Sequence, residues 1–334
     1  MLVVCGSATS WILSNLSRNR GGLYGRLTCE IKLSPFNLKE CEDYFKNENI
    51  EMSRYDIVQS YMVFGGIPYY LSYFKKGMSF EGNADNILFG KNPRLKDEFN
   101  RLFNAIFSNP EDCKKIIRLL AKKHVGFTRE EIAKKTGLPF GGGLTDTLNA
   151  LVESDFIQRY RPYNVSGKVS FYKLIDNFSL FWLKYVEPNT EDINFMTDNM
   201  TSNIMRVWRG VAFEEVCWQH IGQIKRALGI SGVSSSISAW SVKGNDNKEG
   251  GQIDLLIRRN DKVVNLCEMK FAGDIYSIDK EEDAKIRNRI QTLINTLSPK
   301  QSVHLTMITT YGVSHTMYGG RVQQQVILDD LFQS

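Results

Sequence analysis

The stretch QIDLLIRRNDKVVNLCEMKF, residues 252–271, constrains the fold more than any other part of the sequence. It contains two apolar runs separated by the polar segment RRNDK, a pattern that predicts two antiparallel strands joined by a turn. The strongly apolar runs favour central strands of a sheet over edge strands. Each run nevertheless carries an acid, Asp254 and Glu268, and Lys270 follows two residues after the second acid. A carboxylate in an apolar sheet costs free energy unless it has a partner. The hairpin therefore predicts a charged site on the central strands of a sheet.

The charged side chains of the hairpin can be assigned to faces from the period of two along a strand. Glu268 and Lys270 share one face of the second strand, and the turn allows Asp254 to lie close to Glu268. Two neighbouring carboxylates repel each other, and a divalent cation such as Mg²⁺ relieves the repulsion through oxygen ligands. The lysine would then stabilise the charge on a phosphate, or help to orient or deprotonate an attacking water. Glu214, in the helical segment GVAFEE, is the candidate that completes the metal ligands.

A simpler alternative explains the same pattern without a metal. Glu268 and Lys270 would form an ion pair on a solvated strand, and Asp254 would lie at a strand edge. Short patterns of this kind are common, so the spacing alone leaves both alternatives open. The apolar residues that flank the acids favour the metal site.

The composition excludes several classes of protein. Hydrophobic residues make up 42% of the chain and charged residues 24%, which is typical of a globular protein. No apolar segment is long enough to cross a membrane, so we expect a cytoplasmic protein with no membrane partner. The six cysteines include no C-x-x-C pair, which argues against a zinc ribbon and suits a reducing compartment. The net charge of +5 is compatible with DNA as a partner without requiring it.

The order of the predicted elements indicates a multidomain α/β chain. Residues 1–94 combine a first strand, MLVVCG, an alternating segment at Thr28–Leu33 that predicts another strand, and several helices. Residues 95–175 follow the order helix, turn, helix, hairpin, which predicts a winged helix-turn-helix. Residues 176–200 form an aromatic linker helix, and residues 201–334 mix strands and helices as an α/β domain.

The predicted winged helix has a strong helix-start signal but a weak signal for DNA. In TREEIAKKTGL, Thr128 and Glu131 are spaced as a capping box, and Gly137 ends the helix. The candidate recognition helix, 144–153, contains no arginine or lysine, which is unfavourable for phosphate contact. The basic residues that flank it are Lys134, Lys135, Arg159, Arg161 and Lys168. DNA binding and a role in protein interaction therefore both stay open for this region.

The arrangement of Asp254, Glu268 and Lys270 after a helix with Glu214 resembles the PD-(D/E)xK, or restriction-endonuclease-like, nuclease superfamily. The resemblance implies that Asp254 and Glu268 bind Mg²⁺ with help from Glu214. It also implies that Lys270 is catalytic, together with the two hairpin acids. Ile253 stands where the superfamily name has its proline, which is a mild departure.

A second resemblance covers nearly the whole chain. The ordered segments VVCGSATSWI, GGLYGRLTCEIKLSPF, GGIPYYL and GVAFEE…QIDLLI…CEMKF are similar to a family of prokaryotic AAA+-type ATPases with a winged helix and a C-terminal nuclease-like domain. This resemblance implies that residues 1–94 are the remnant of an ATPase domain with its lid helices. It makes Ser7 the residue that senses the γ-phosphate and Arg26 a sensor or finger arginine.

The ATP-binding loop of that family is missing from this sequence. There is no G-x-x-x-x-G-K-[ST] segment, and in the nearest match, GMSFEGN at 77–83, Asn83 stands in place of the lysine. The loop amides, the lysine and the Mg²⁺ ligands are what hold the phosphates of ATP. We therefore expect this chain neither to bind nor to hydrolyse ATP, and to correspond to the C-terminal part of the family architecture.

Two functions of different classes follow as expectations. The leading one is a DNA-associated protein of an ATPase family whose C-terminal domain is a Mg²⁺-dependent phosphodiesterase. The alternative is a catalytically inactive module that docks a nucleic acid, a protein partner or a second copy, and acts as the regulatory half of an ATPase. The first requires Asp254, Glu268 and Lys270 to converge in an open cleft, whereas the second leaves them covered or apart.

Overall fold

The computed structural model describes residues 28–29, 31–163, 169–242, 251–297 and 300–333. Contacts between Cα atoms divide the chain into two compact units. The first contains the described parts of 1–35, 81–160 and 170–197, and the second those of 36–80, 161–169 and 198–334. The segment 36–80 thus belongs to the same unit as the C-terminal residues.

The elements are named here in chain order. The first helices are α1 (Leu38–Asn47), α2 (Arg54–Phe64), α3 (Pro68–Leu71), α4 (Phe80–Ala84), α5 (Glu98–Ile106) and α6 (Pro110–Leu120). Next come β1 (Phe127–Thr128), α7 (Arg129–Thr136), α8 (Gly142–Glu153), β2 (Ile157–Tyr160), β3 (Phe171–Leu174), α9 (Asn177–Phe181) and α10 (Phe195–Asn199). The last are α11 (Asn203–Gln219), α12 (Ile221–Ala227), β4 (Ser235–Val242), β5 (Gly251–Arg259), β6 (Val263–Lys270), α13 (Lys280–Ile294), β7 (Ser302–Thr309) and β8 (Gln324–Ile327).

The first unit contains a three-stranded antiparallel sheet with the order β1-β3-β2. The elements around it run α6, β1, α7, α8, β2, β3 along the chain. The predicted capping box is present, because Thr128 accepts a hydrogen bond from the Glu131 backbone and the Glu131 carboxylate accepts one from the Thr128 backbone. Gly137 ends α7 with a φ of 74°, the left-handed conformation that favours glycine.

The second unit is built on a five-stranded mixed sheet with the order β4-β5-β6-β7-β8. The pairs β4–β5 and β5–β6 are antiparallel, and the pairs β6–β7 and β7–β8 are parallel. Cys267 of β6 interacts with Cys217 of α11, whereas its neighbour Glu268 bonds to Arg289 of α13. Because successive residues of a strand face opposite sides, α11 and α13 cover opposite faces of the sheet.

A hydrophobic core of the second unit lies between the sheet and α13. Its buried members include Leu256, Leu266, Leu305 and Met307 from the strands and Ile286 and Leu293 from the helix. The two helical residues are two turns apart and therefore lie on one face of α13. This packing fixes the rotation of α13, and with it the charged residues that the helix turns toward β6.

His220 ties the N-terminal helices of this unit to α11. Its Nδ1 donates a hydrogen bond to the Val216 carbonyl across 2.8 Å, which leaves Nε2 as an acceptor. Nε2 accepts from the backbone N–H of Leu38, the first residue of α1, across 3.0 Å. The ring is buried, and Tyr61 of α2 packs edge-on against it. One neutral imidazole thus satisfies a backbone group at the end of α11 and another at the start of α1.

Some predicted elements differ from the structure or lie outside it. The predicted strand at Thr28–Leu33 is wrong for the residues described, which form no strand there, and Ile31 and Leu33 are 77% and 89% exposed. An alternating segment becomes a strand only when a neighbour pairs with it, and none of the described strands does so. The first strand, Ser7, Arg26 and the turn of the hairpin predicted for the winged helix, residues 164–167, lie outside the described residues.

Two coarse expectations can be compared with the described residues. No helix among them is both long enough and apolar enough to cross a membrane. The cysteines at 29, 41, 113, 217 and 267 are free thiols. Cys267 is buried on the face of β6 opposite to Glu268, as the period of two predicts.

Candidate functional site

The predicted hairpin is present as β5 and β6, at the centre of the five-stranded sheet. Leu255 pairs with Cys267 and Leu256 with Leu266. The connection turns at Asp261 and at Lys262, whose φ is 69°. The sequence therefore predicted the central position of the two acid-bearing strands correctly.

A β-bulge between β4 and β5 determines where Asp254 points. Ser238 pairs with Leu256 but Trp240 pairs with Ile253, so one residue of β4 faces two residues of β5. Such a bulge breaks the strict alternation of side chains and redirects the residues it contains. Asp254 lies in this bulge, and Trp218 of α11 donates a hydrogen bond to its carbonyl oxygen across 2.8 Å. The bulge thus brings Asp254 against the helix that carries Glu214.

Glu214 and Asp254 form a close pair of carboxylates. One carboxylate oxygen of each lies within 4.8 Å of the other, and both side chains are half-buried. Asp254 Oδ1 also accepts a hydrogen bond from Gln252 Nε2 across 2.6 Å, which orients its carboxylate. Ligand oxygens lie about 2.0–2.1 Å from Mg²⁺ and about 2.3–2.6 Å from Ca²⁺, so two ligands of one ion are at most about 4 to 5 Å apart. The pair therefore fits the oxygen ligands of a divalent cation.

Glu268 lies on the other face of the sheet and has a cation as its partner. Its side chain is buried, and Oε1 accepts a hydrogen bond from Arg289 Nη1 across 2.8 Å. Burial raises the pKa of Glu268 above its ordinary value, although Arg289 and Lys270 act in the opposite direction. Among the described residues, Glu268 does not join Glu214 and Asp254 in a group whose ligand atoms all lie within 4.8 Å of one another.

Lys270 is paired with an acid of the same helix. Its Nζ lies 2.8 Å from Glu282 Oε1 and 5.9 Å from the centre of the Tyr276 ring. Burial lowers the pKa of Lys270, but the ion pair with Glu282 and the nearby negative charges outweigh this effect, so the net pKa lies above its ordinary value. Lys270 is therefore an ammonium ion at neutral pH and acts as a cation rather than as a proton acceptor.

The sequence-predicted residues thus separate into two groups in this structure, which is the arrangement that the docking alternative expects. Glu214 and Asp254 meet beside α11, while Glu268 and Lys270 contact α13. Sequence reasoning missed Arg289 and Glu282, which hold the second group. A charged helix after the hairpin was predicted, but only the packing of that helix decides which of its charges turn toward β6.

Comparisons with known proteins leave the family of the chain open. No family model matches the sequence. The chain is 27% identical over 276 residues to the uncharacterized protein MJECL04 of Methanocaldococcus jannaschii, covering 81% of this chain and 59% of that protein. It thus spans less than two thirds of that relative. A structure of the restriction endonuclease FokI is similar over 69% of this chain and 45% of its own, with 12% identity and a TM-score of 0.23. That score is too low to establish a shared fold.

Proposed function

We propose that the second unit is a divalent-metal-dependent phosphodiesterase that acts on DNA. The observation that carries the proposal is the close approach of Glu214 and Asp254, carboxylates from a helix and from a central strand. Two like charges at this separation repel each other, and a bound cation offsets the repulsion. The site lies at the hairpin whose second strand supplies a buried acid and a charged lysine.

The residues take the following roles in this proposal. Asp254 and Glu214 bind the ion, and Gln252 holds Asp254 in orientation through its hydrogen bond. A bound Mg²⁺ would polarise a phosphate oxygen and lower the pKa of a coordinated water. Lys270 is the last residue of β6, and in this proposal its long side chain reaches the scissile phosphate around the end of the strand and stabilises its negative charge as an ammonium ion. Lys270 must then leave Glu282 to pair with the phosphate, because the two anions compete for the same ammonium group.

Glu268, which the sequence put forward as a metal ligand, stands apart from the proposed ion. It faces α13 on the other side of the sheet, and Arg289 occupies one of its two oxygens. The Arg289 bond fixes the rotamer of the Glu268 carboxylate and offsets its charge. The proposal therefore assigns the ion to Glu214 and Asp254, and Glu268 to the pair with Arg289.

For the rest of the chain we propose two things: that it supports contact with DNA, and that it has the architecture of an ATPase family. The order α6, β1, α7, α8, β2, β3 supports a winged helix, because that fold combines two short helices with a small sheet. The remnant of an AAA+ domain at residues 1–94 remains a proposal from sequence alone, as do Ser7 and Arg26 at a nucleotide site.

A second candidate function is favoured by a different observation. Glu268 and Lys270 are each paired with an opposite charge of α13, which neutralises both without any metal. A docking module that had lost catalysis would need such partners to keep its buried charges stable. This candidate predicts a protein that binds a macromolecule but neither holds a metal at Asp254 nor cleaves DNA.

A cleavage assay separates the two candidates. The substrates are single-stranded and duplex DNA with Mg²⁺ or Mn²⁺, and the proteins are the wild type, Lys270→Ala, and the control Lys285→Ala. Lys285 is an exposed lysine of α13, so its loss leaves the site intact. The phosphodiesterase proposal expects cleavage by the wild type and the control and at least a 100-fold loss in Lys270→Ala, by analogy with the removal of one charge-stabilising group. Equal activity in Lys270→Ala and wild type would contradict the role of Lys270.

A further inference from the structure

Four exposed lysines lie at the ends of two helices of the first unit, and we call them the lysine patch. Lys122 and Lys123 follow α6, and Lys134 and Lys135 lie in the last turn of α7. Lys123 Nζ lies 5.1 Å, and Lys135 Nζ 5.7 Å, from the centre of one ring, that of Phe127. The two ammonium groups are therefore no further apart than the sum of these distances, which is comparable to the Debye length of roughly 10 Å at 0.1 M salt. The fold holds like charges close enough to repel each other.

No acid of the described residues forms an ion pair with the lysine patch. The neighbouring lysines of α6 behave differently, because Lys114 pairs with Glu111 across 2.9 Å and Lys115 with Asp112 across 3.7 Å. Glu131 of α7 is engaged in the capping box at the start of that helix. The exposed acid Glu130 precedes Lys134 by one helical turn but forms no ion pair with it. The patch is thus a concentration of positive charge that no ion pair of the described residues offsets.

Helix dipoles explain only part of this charge. Both pairs of lysines lie at the C-terminal end of a helix, where a cation is favourable. Each helix end carries about half a negative charge, so the two ends together offset about one of the four ammonium groups. Most of the positive charge of the patch remains available for an external anion.

The helix that sequence analysis put forward for DNA recognition does not share this charge. The exposed residues of α8 are Gly142, Gly143, Asp146 and Asn149, which include one acid and no cation. Lys134 and Lys135, by contrast, are two of the basic residues that flank it. A polyanion would therefore meet this unit at the ends of α6 and α7 and not along α8.

We propose that the lysine patch binds the phosphate backbone of duplex DNA without reading its sequence. A polyanion requires only point charges at its surface, and lysines supply them. An acidic protein would in addition need an exposed apolar anchor at the centre of the interface. Phe127, the ring between Lys123 and Lys135, is only 7% exposed, and the exposed ring of Phe140 near Lys134 is covered on one face by Arg129. This inference does not depend on the phosphodiesterase proposal, because the patch shares no residue with the metal site.

The salt dependence of DNA binding tests the proposal. The anisotropy of a labelled mixed-sequence duplex would be measured with the full chain in EDTA, between 50 and 200 mM KCl. For Lys123→Gln with Lys135→Gln, the slope of log affinity against log salt should become shallower by about 1.8, and affinity at 50 mM should fall about tenfold or more. The charge-preserving double variant Lys123→Arg with Lys135→Arg should bind like the wild type.

A matched control removes the same charge elsewhere. Lys76→Gln with Lys285→Gln changes two exposed lysines of the second unit and should leave the slope unchanged. Equal salt-dependence slopes in the patch and control variants would overturn the proposal. Displacement of the duplex by poly-L-glutamate at an equal concentration of charge would also overturn it. If Lys270→Ala loses DNA cleavage but binds DNA like the wild type, then cleavage at the proposed metal site and DNA binding by the lysine patch are independent.

Discussion

Arg289 Nη1 donates a hydrogen bond to Glu268 Oε1 across 2.8 Å, so a cation from α13 accompanies the buried acid of the central hairpin. Two residues along β6, Lys270 pairs with Glu282 of the same helix. The helix thus presents the opposite charge to each member of the Glu-x-Lys pair. The phosphodiesterase candidate requires Lys270 to leave Glu282 for a phosphate, whereas the docking candidate keeps both pairs intact.

Removal of Arg289 should destabilise the protein. Arg289→Ala leaves the buried Glu268 carboxylate without its hydrogen-bonded cation, and breaking a buried pair in this way typically costs about 3–5 kcal/mol. The free energy of unfolding from urea titration at pH 7 measures the loss. The double variant Arg289→Ala with Glu268→Gln should recover most of it, because no unpaired charge remains.

The control for this prediction is Arg287→Ala on the same helix. Arg287 is exposed, and its partner Asp283 keeps a second cation, Arg321, at 2.9 Å. We expect a loss below about 1 kcal/mol, as is usual for exposed ion pairs. Similar losses for Arg287→Ala and Arg289→Ala would contradict the special position of Arg289.

Acid should weaken the second unit through His220. Burial lowers the pKa of His220 from its ordinary value of 6.5 to about 4, and protonation of Nε2 would break the bond from the Leu38 backbone. Above pH 6.5 the ring is neutral in both the folded and the unfolded chain, so its contribution is fully present. As the pH falls from 6.5 to about 4, only the unfolded chain gains the proton, and about 3 kcal/mol of stability is lost.

The variant His220→Asn isolates this effect. It removes the titrating group, so the free energy of unfolding should depend less steeply on pH between 6.5 and 4 than in the wild type. Urea titrations at several pH values give both curves. Parallel curves for the two proteins would show that His220 does not titrate as its contacts imply.

Two glycines of the first unit offer a matched test of backbone packing. Gly126 and Gly137 have similar φ values, 69° and 74°. A Cβ on Gly126 would lie 1.9 Å from the Tyr172 carbonyl oxygen, whereas a Cβ on Gly137 would meet no atom within 4 Å. Gly137→Ala should cost about 1–2 kcal/mol from backbone strain alone, and Gly126→Ala should cost clearly more. Thermal unfolding compares the two, and equal midpoints would contradict the close approach at Gly126.

Much of the local structure could be predicted from the sequence. The hairpin at 252–271 and the capping box of Thr128 and Glu131 are confirmed, because apolar patterns and capping residues act over short distances along the chain. The strand at Thr28–Leu33 was wrong for the described residues, since alternation alone does not supply a pairing strand.

The arrangement of the candidate site could be predicted only in part. The residue types were identified, but the period of two placed Asp254 beside Glu268, whereas the bulge opposite Ser238 and Trp240 turns it to Glu214. A bulge depends on how β4 registers with β5, which no local pattern encodes. The contact of Arg289 with Glu268 likewise depends on the rotation of α13 over the sheet.

The central claim is that Glu214 and Asp254 bind a divalent cation, and calorimetric titration with Mg²⁺ and Mn²⁺ tests it most directly. The wild type would be compared with Asp254→Asn, which keeps the shape of the side chain but removes its charge. The control Glu281→Gln removes an exposed acid from the first turn of α13. We predict binding in the wild type and the control and its loss in Asp254→Asn. Binding of equal strength in all three, or no binding with or without duplex DNA, would contradict the metal site and leave the docking module.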